Sequence, residues 1–138
     1  MVVYAVLMAY TTKMKGIKPI ILAIAAAIIL DLFVFDFILA QGQSMEPAIP
    51  GGTVLIVSRI RYGIMLPWQQ KYLIRWAQPE VGEVVVFYTP TGEQAVKRCT
   101  AVEGQRFFAE GDNNLASYDS RAYGWVPSEN IIGKVLGF

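Results

Sequence analysis

The 138-residue chain contains no histidine and a single cysteine, Cys99. Without imidazole a Ser-His-Asp triad is excluded, and so is any zinc or iron site built on histidine. One thiol cannot close an internal disulfide and says little about redox compartment. The carboxylates that remain as metal ligands are scattered along the chain, so neither a metal nor another cofactor is expected. Concentrated positive charge is lacking too, since residues 41–138 carry nine basic and nine acidic side chains. Nucleic acid binding needs a basic face to displace counterions from phosphates, and no such face is expected here. The length allows one domain at most, and repeats and low-complexity linkers are absent.

What is abundant is apolar. Hydrophobic residues make up 54% of the chain, high for a soluble domain. Ile17 to Phe35 is a stretch of nineteen residues with one acid, Asp31. That is close to the roughly 20 residues a helix needs to cross a bilayer. Lys13, Lys15 and Lys18 precede it with no acid among residues 1–18, which places that end in the cytoplasm by the positive-inside rule. The expected organisation is a short cytoplasmic segment over 1–16, an anchor in the lipid bilayer over 17–36, and an extracytoplasmic domain over 37–138. A cleaved leader is the alternative for the apolar segment, although it is long for one.

Beyond the anchor the pattern is β. Thr53–Val57 follows the turn signal Pro50-Gly51-Gly52, and Val84–Tyr88 is a continuous β-branched and aromatic run ended by Thr89-Pro90-Thr91-Gly92. Gln94–Val102 follows as a hairpin partner, Arg106–Ala109 as a short strand, and Ile131–Phe138 as the last. Short strands with Gly/Pro punctuation predict a mainly β fold: a small open barrel or sandwich behind one transmembrane helix. Tyr62–Pro79 departs from this pattern. Trp68, Tyr72 and Trp76 recur every fourth residue beside Lys71 and Arg75, which suggests a short helix in the headgroup region. A connection that packs its aromatics on the sheet accounts for the same residues.

A hydroxyl nucleophile needs a neighbouring base, and with no histidine the candidate is a lysine. Ser44 lies in Gly42-Gln43-Ser44-Met45-Glu46-Pro47, where Gly42 permits close backbone approach and Pro47 and Pro50 stiffen the turn. Lys97 lies in Ala95-Val96-Lys97-Arg98. Strand alternation puts it on the face of Ala95 and Cys99, small residues that could desolvate it and lower its pKa. A third stretch, Gly111 to Pro127, is a polar loop in which Asp119 and Arg121 could form a local ion pair.

Together these stretches resemble the type I signal peptidases, membrane-bound serine-lysine endopeptidases. Ser44-Met45-Glu46-Pro47 resembles the family's nucleophile box and Lys97-Arg98 its lysine box. Gly111, Asp112, Asn113, Ser117, Asp119, Ser120, Arg121, Gly124, Val126 and Pro127 match its C-terminal box. A lysine base points to the bacterial branch, and so to a bacterial inner membrane with the domain on the outer side. The resemblance implies that Ser44 is the nucleophile and Lys97 the general base. Ser117 would hydrogen-bond and orient the lysine, Asp119 and Arg121 would hold the loop, and Gly111 would let it pack close. Substrates would be preproteins bearing signal peptides, cut after Ala-x-Ala. Residues 37–42 and 93–96 would flank the site as edge strands, with Ala40, Met45, Ile49, Ala95 and Val96 lining small pockets. Larger members insert a second β-domain, whereas here thirteen residues separate Lys97 from Gly111. The family's usual Gly-Leu-Pro-Gly-Asp is replaced by Ala101-Val102-Glu103-Gly104-Gln105. A processing peptidase dedicated to one substrate class, such as a pilin or conjugation protein, is the alternative among enzymes. A non-catalytic anchored module that binds exported peptides is the alternative outside them. Oligomeric state is not legible.

Overall fold

Val84–Tyr88 shows why the chain folds as it does. Its side chains alternate between two apolar clusters, Val84 and Val86 packing into one, Val85 and Phe87 into the other. A strand buried on both faces has no polar positions, hence the unbroken hydrophobic run. The computed structural model describes residues 16–66, 69 and 71–138. They form two units, residues 1–32 and 33–138.

The described part of the first unit is a helix, α1 (Lys18–Val34), whose last two residues belong to the second unit. Its Ile20, Ile21, Leu22, Ile24, Ile28, Ile29 and Leu30 are all exposed, so the apolar surface is not confined to one face. Seventeen residues give a length of about 26 Å. Among the described residues no helix is long and apolar enough to cross a membrane. The segment 1–15 expected on the cytoplasmic side lies outside the described residues. Phe35 and Asp36, assigned to the anchor from sequence, are the first residues of a strand.

The second unit is mainly β. Seven strands form one antiparallel sheet: β1 (Phe35–Leu39), β2 (Val54–Ser58), β5 (Val84–Tyr88), β6 (Gln94–Glu103), β7 (Arg106–Glu110), β8 (Val126–Pro127) and β9 (Ile131–Val135). Their order is β1-β2-β9-β5-β6-β7-β8, so the C-terminal strand sits centrally, between β2 and β5. β1 and β6 are four strand positions apart, about 19 Å if the sheet were flat. Both nevertheless line one cleft, which requires the sheet to curl.

The segment Tyr62–Pro79 corrects the expectation of a helix. It contains a separate antiparallel hairpin, β3 (Gly63–Leu66) and β4 (Lys71–Arg75), with a bulge between Ile64 and Met65. Tyr72 turns inward, packs on the second cluster and donates its hydroxyl to the Ile131 carbonyl at 2.7 Å. Trp76 lies just past β4 and is exposed, while Trp68 is outside the described residues. The every-fourth spacing therefore joins residues in different environments and marks no helical face. Between the remaining loops, α2 (Ser120–Tyr123) is a single turn capped by the Asp119 side chain.

Candidate active site

Ser44 sits in the turn that follows β1. Ala40 N–H donates to Thr53 O and Gly52 N–H to Ala40 O, each at 2.8 Å, which pins both ends of the turn. Gly42 takes a φ of 76°, a left-handed conformation that favours glycine. Met45 and Ile49 are buried in the first apolar cluster and hold the turn from below. The Ser44 carbonyl accepts the Asn113 N–H at 3.0 Å, which ties the turn to the loop after β7.

Lys97 reaches Ser44 from β6, its Nζ donating to Ser44 Oγ at 2.7 Å. The lysine is only 6% exposed. Burial pushes its pKa below the ordinary lysine value. The charge of Asp119 opposes that shift and the charge of Arg121 assists it. Among the described residues no carboxylate forms an ion pair with the amine. A neutral amine in this position can accept the proton of the serine hydroxyl.

Asp119 organises the loop behind the pair. It accepts the Gly111 N–H at 2.8 Å, the Ser117 hydroxyl at 2.5 Å, and the Arg121 N–H at 3.1 Å. The Arg121 guanidinium adds two more hydrogen bonds. Burial raises the pKa of this carboxyl, but the combined donors outweigh it and hold the group well below the usual carboxylate range. The hydrogen bond made by Ser117 therefore runs to Asp119, where the sequence led us to expect Lys97. Gly111 is required by space, because a Cβ there would meet the Ser117 side chain and the Ser44 carbonyl oxygen.

Sequence reasoning missed a second tether. Arg98 makes a two-pronged hydrogen bond to Asp112, at 2.9 and 2.7 Å, and donates to Gly82 O. Arg98 neighbours Lys97 and Asp112 neighbours Gly111, so this fork fastens the lysine strand to the loop. The signal was available as opposite charges inside two adjacent motifs, but nothing in the sequence says that they meet.

The cleft in front of Ser44 and Lys97 has a volume of about 590 Å³. Ala40, Met45, Ile49, Ala95 and Val96 all line it, together with Asp36–Leu39 and Gln94. Its two long walls are strand edges. β1 is the edge of the sheet, and β6 is paired on one side only until Arg98 meets β7. Among the described residues no group of three acidic or cysteine side chains is placed to hold a metal ion.

The family model described as "Signal peptidase, peptidase S26" matches this chain over residues 13–109 and 105–137. The chain belongs to the signal peptidase family. It is 23% identical to probable signal peptidase I-1 of Synechocystis over 168 aligned positions, covering 88% of this chain and 80% of that protein. It is 24% identical to signal peptidase I of Bacillus caldolyticus, covering 85% and 86% of the two chains. Against signal peptidase I of Buchnera aphidicola the identity is 32% over 99 residues, 70% of this chain and 31% of that one. The first two alignments are longer than this 138-residue chain, so those relatives carry inserted segments that it lacks.

Proposed function

We propose that this signal peptidase family member is a membrane-bound serine endopeptidase that removes signal peptides from exported preproteins. Ser44 is the nucleophile and Lys97 the general base. The observation that carries this reading is the 2.7 Å approach of the buried Lys97 Nζ to Ser44 Oγ at the end of a peptide-sized cleft. With Lys97 neutral, the Ser44 proton passes to Nζ as Oγ attacks the scissile carbonyl. Among the described residues no acceptor takes the Ser44 N–H, which is left to donate to the oxyanion. Such a donor is commonly worth about 2.7–4 kcal/mol in the transition state. Collapse of the tetrahedral species breaks the C–N bond, and the Lys97 ammonium returns its proton to the leaving amine. Water, deprotonated by Lys97, then cleaves the acyl-Ser44 ester and frees the new carboxyl end.

Substrate binds between the edges of β1 and β6 as an added strand. Ala40, Met45, Ile49, Ala95 and Val96 crowd the cleft floor and favour the small side chains of an Ala-x-Ala site. Asp119, Arg121, Ser117 and Gly111 hold the loop against Ser44. The apolar segment up to Val34 anchors the chain in the bacterial inner membrane, with the lysine-bearing end cytoplasmic and the catalytic domain, from β1 onward, outside. Apart from Lys18 and Asp31, the exposed side chains of α1 are apolar, which supports that anchor.

The test is cleavage of a preprotein with an Ala-x-Ala site, in detergent, by wild type and by Ser44→Ala. Cutting at that site by wild type alone is expected. Equal cutting by both would remove Ser44 from the mechanism.

A further inference from the structure

The open edge of β1 is not uniform. Ala40 N–H donates to Thr53 O, and Val34 O accepts from Arg59 N–H, so the even-numbered residues turn their backbone groups toward β2. Alternation along the strand then turns the groups of Phe37 and Leu39 to the open side, facing the cleft. Across the cleft, Glu93 O accepts from Thr89 N–H and Cys99 N–H donates to Glu83 O. The odd residues of β6 thus face β5, and Gln94 and Val96 present their backbone groups to the open side.

One of these groups is already occupied. Asp36 Oδ1 accepts the Phe37 N–H at 2.9 Å. The same side chain lines the cleft on the face of Ile38 and Ala40. Its other oxygen lies 3.8 Å from Arg59 Nη1, too far for a hydrogen bond. The carboxylate is thus held on the edge mainly by the backbone donor it covers.

We propose that Asp36 is a specificity-determining residue that closes the peptide-binding edge of β1 at Phe37. This rests on the peptidase reading above. A bound strand parallel to β1 takes the Phe37 C=O and the Leu39 N–H, and its next repeat outward needs the Phe37 N–H. An antiparallel strand paired across Phe37 needs that N–H as well. In either alignment the ladder stops at Asp36, so the substrate backbone is gripped only over the stretch between Phe37 and Ser44. Specificity is thereby concentrated on the few residues near the cut, and longer peptides gain no further pairing on this strand.

The experiment uses the full-length enzyme in detergent and nested peptides around an Ala-x-Ala site, extended one residue at a time on each side. For wild type, KM stops falling once the peptide reaches the closed position. For Asp36→Ala it goes on falling over the next two residues by about two- to tenfold, the worth of one added hydrogen bond. The Phe37 N–H needs a carbonyl acceptor, so reducing the newly paired substrate carbonyl to a methylene abolishes that gain, and replacing its amide by an ester, a weaker acceptor, shrinks it. Asp36→Asn keeps an oxygen acceptor for the Phe37 N–H and retains the wild-type plateau, as does Arg59→Gln, which removes only the neighbouring charge. The same plateau in Asp36→Ala and wild type would overturn the proposal. So would an Asn variant that behaves like Ala, since charge would then matter and the cap would not. Both results leave the peptidase reading intact, whereas a wild type that cuts no peptide removes that reading itself.

Discussion

Two lysines stand opposite the same valine. Val85 on β5 pairs with Lys97 on β6 at one side and with Lys134 on β9 at the other. The sheet thus offers both a similar backbone setting, yet their surroundings differ. Lys134 donates to Glu83 at 2.9 Å and is part of a polar cluster with Tyr62 and Arg61. Lys97 is more deeply buried, has no ion-paired carboxylate among the described residues, and donates to a serine hydroxyl. An ammonium beside a carboxylate is stabilised as a cation. An ammonium in an apolar cleft is not, and its proton becomes available for exchange. The difference between the ion-paired lysine and the one proposed as a base lies in what was placed around each.

Lys97→Met should break the comparison most severely. On the proposed mechanism this change removes the general base and should lower kcat by about 10²–10⁴-fold, read as cleavage of the Ala-x-Ala preprotein. Stability should move the other way. The Lys97 pKa is lowered in the fold, so the unfolded chain binds the extra proton and wild-type stability rises with pH up to the ordinary lysine value of about 10.4. Methionine removes that penalty without leaving a cavity. Its Tm should exceed wild type at pH 7, and the gap should narrow as pH approaches 10. A lower Tm at pH 7 would mean that the Lys97–Ser44 contact stabilises the fold, against the burial argument.

Asp119→Asn probes the one carboxylate whose charge reaches Lys97 without pairing to it. Asp119 is almost fully buried and the Arg121 side chain is 35% exposed, so breaking the pair should cost about 2 kcal/mol at pH 7 by urea unfolding. Its folded pKa is depressed, so its stabilisation is complete above the unfolded carboxylate value and fades as pH drops through the folded one. The gap between wild type and variant should therefore begin to close below about pH 4 and go on closing until Asp119 takes up its proton in the fold. Removing the negative charge also lets the Lys97 pKa fall further, which shifts the rising limb of kcat/KM to lower pH. An unmoved limb would sever the electrostatic link between the two.

These residues show what a sequence exposes. Val84–Tyr88 was legible to the residue because burial on both faces leaves a continuous apolar run between turn signals. Ser44 and Lys97 stood out because the lack of histidine leaves few bases and because their motifs are specific. Asp119 was legible as an ion pair with Arg121, but its bonds to Gly111 and Ser117 depend on how the loop folds back. The β3–β4 hairpin was obscured because a bulge breaks its alternation and the aromatic spacing imitates a helix. β8 is two residues long, too short for any periodicity. The Glu83 cluster draws on three separate segments, and no local pattern announces it.

Lys134→Met gives the smallest effect and sharpens the contrast. It removes a partly exposed cation from Glu83, whose carboxylate keeps the Tyr62 hydroxyl at 2.7 Å, the Glu80 N–H at 3.0 Å and Arg61 at 3.3 Å. The loss should be about 1 kcal/mol in urea unfolding at pH 7, because the lysine is partly solvated and the remaining donors still satisfy the Glu83 oxygens. Burial raises the Glu83 pKa, but its donors, Lys134 among them, bring it below the ordinary value. The Lys134 contribution is therefore present above the unfolded carboxylate pKa and disappears as Glu83 takes up its proton. Preprotein cleavage should match wild type, since Lys134 touches neither the cleft nor Ser44. The two Lys→Met changes, made across from the same valine, should thus move stability in opposite directions and activity in only one of the two. Equal destabilisation by both would mean that burial without an ion-paired carboxylate does not separate the proposed base from the structural lysine.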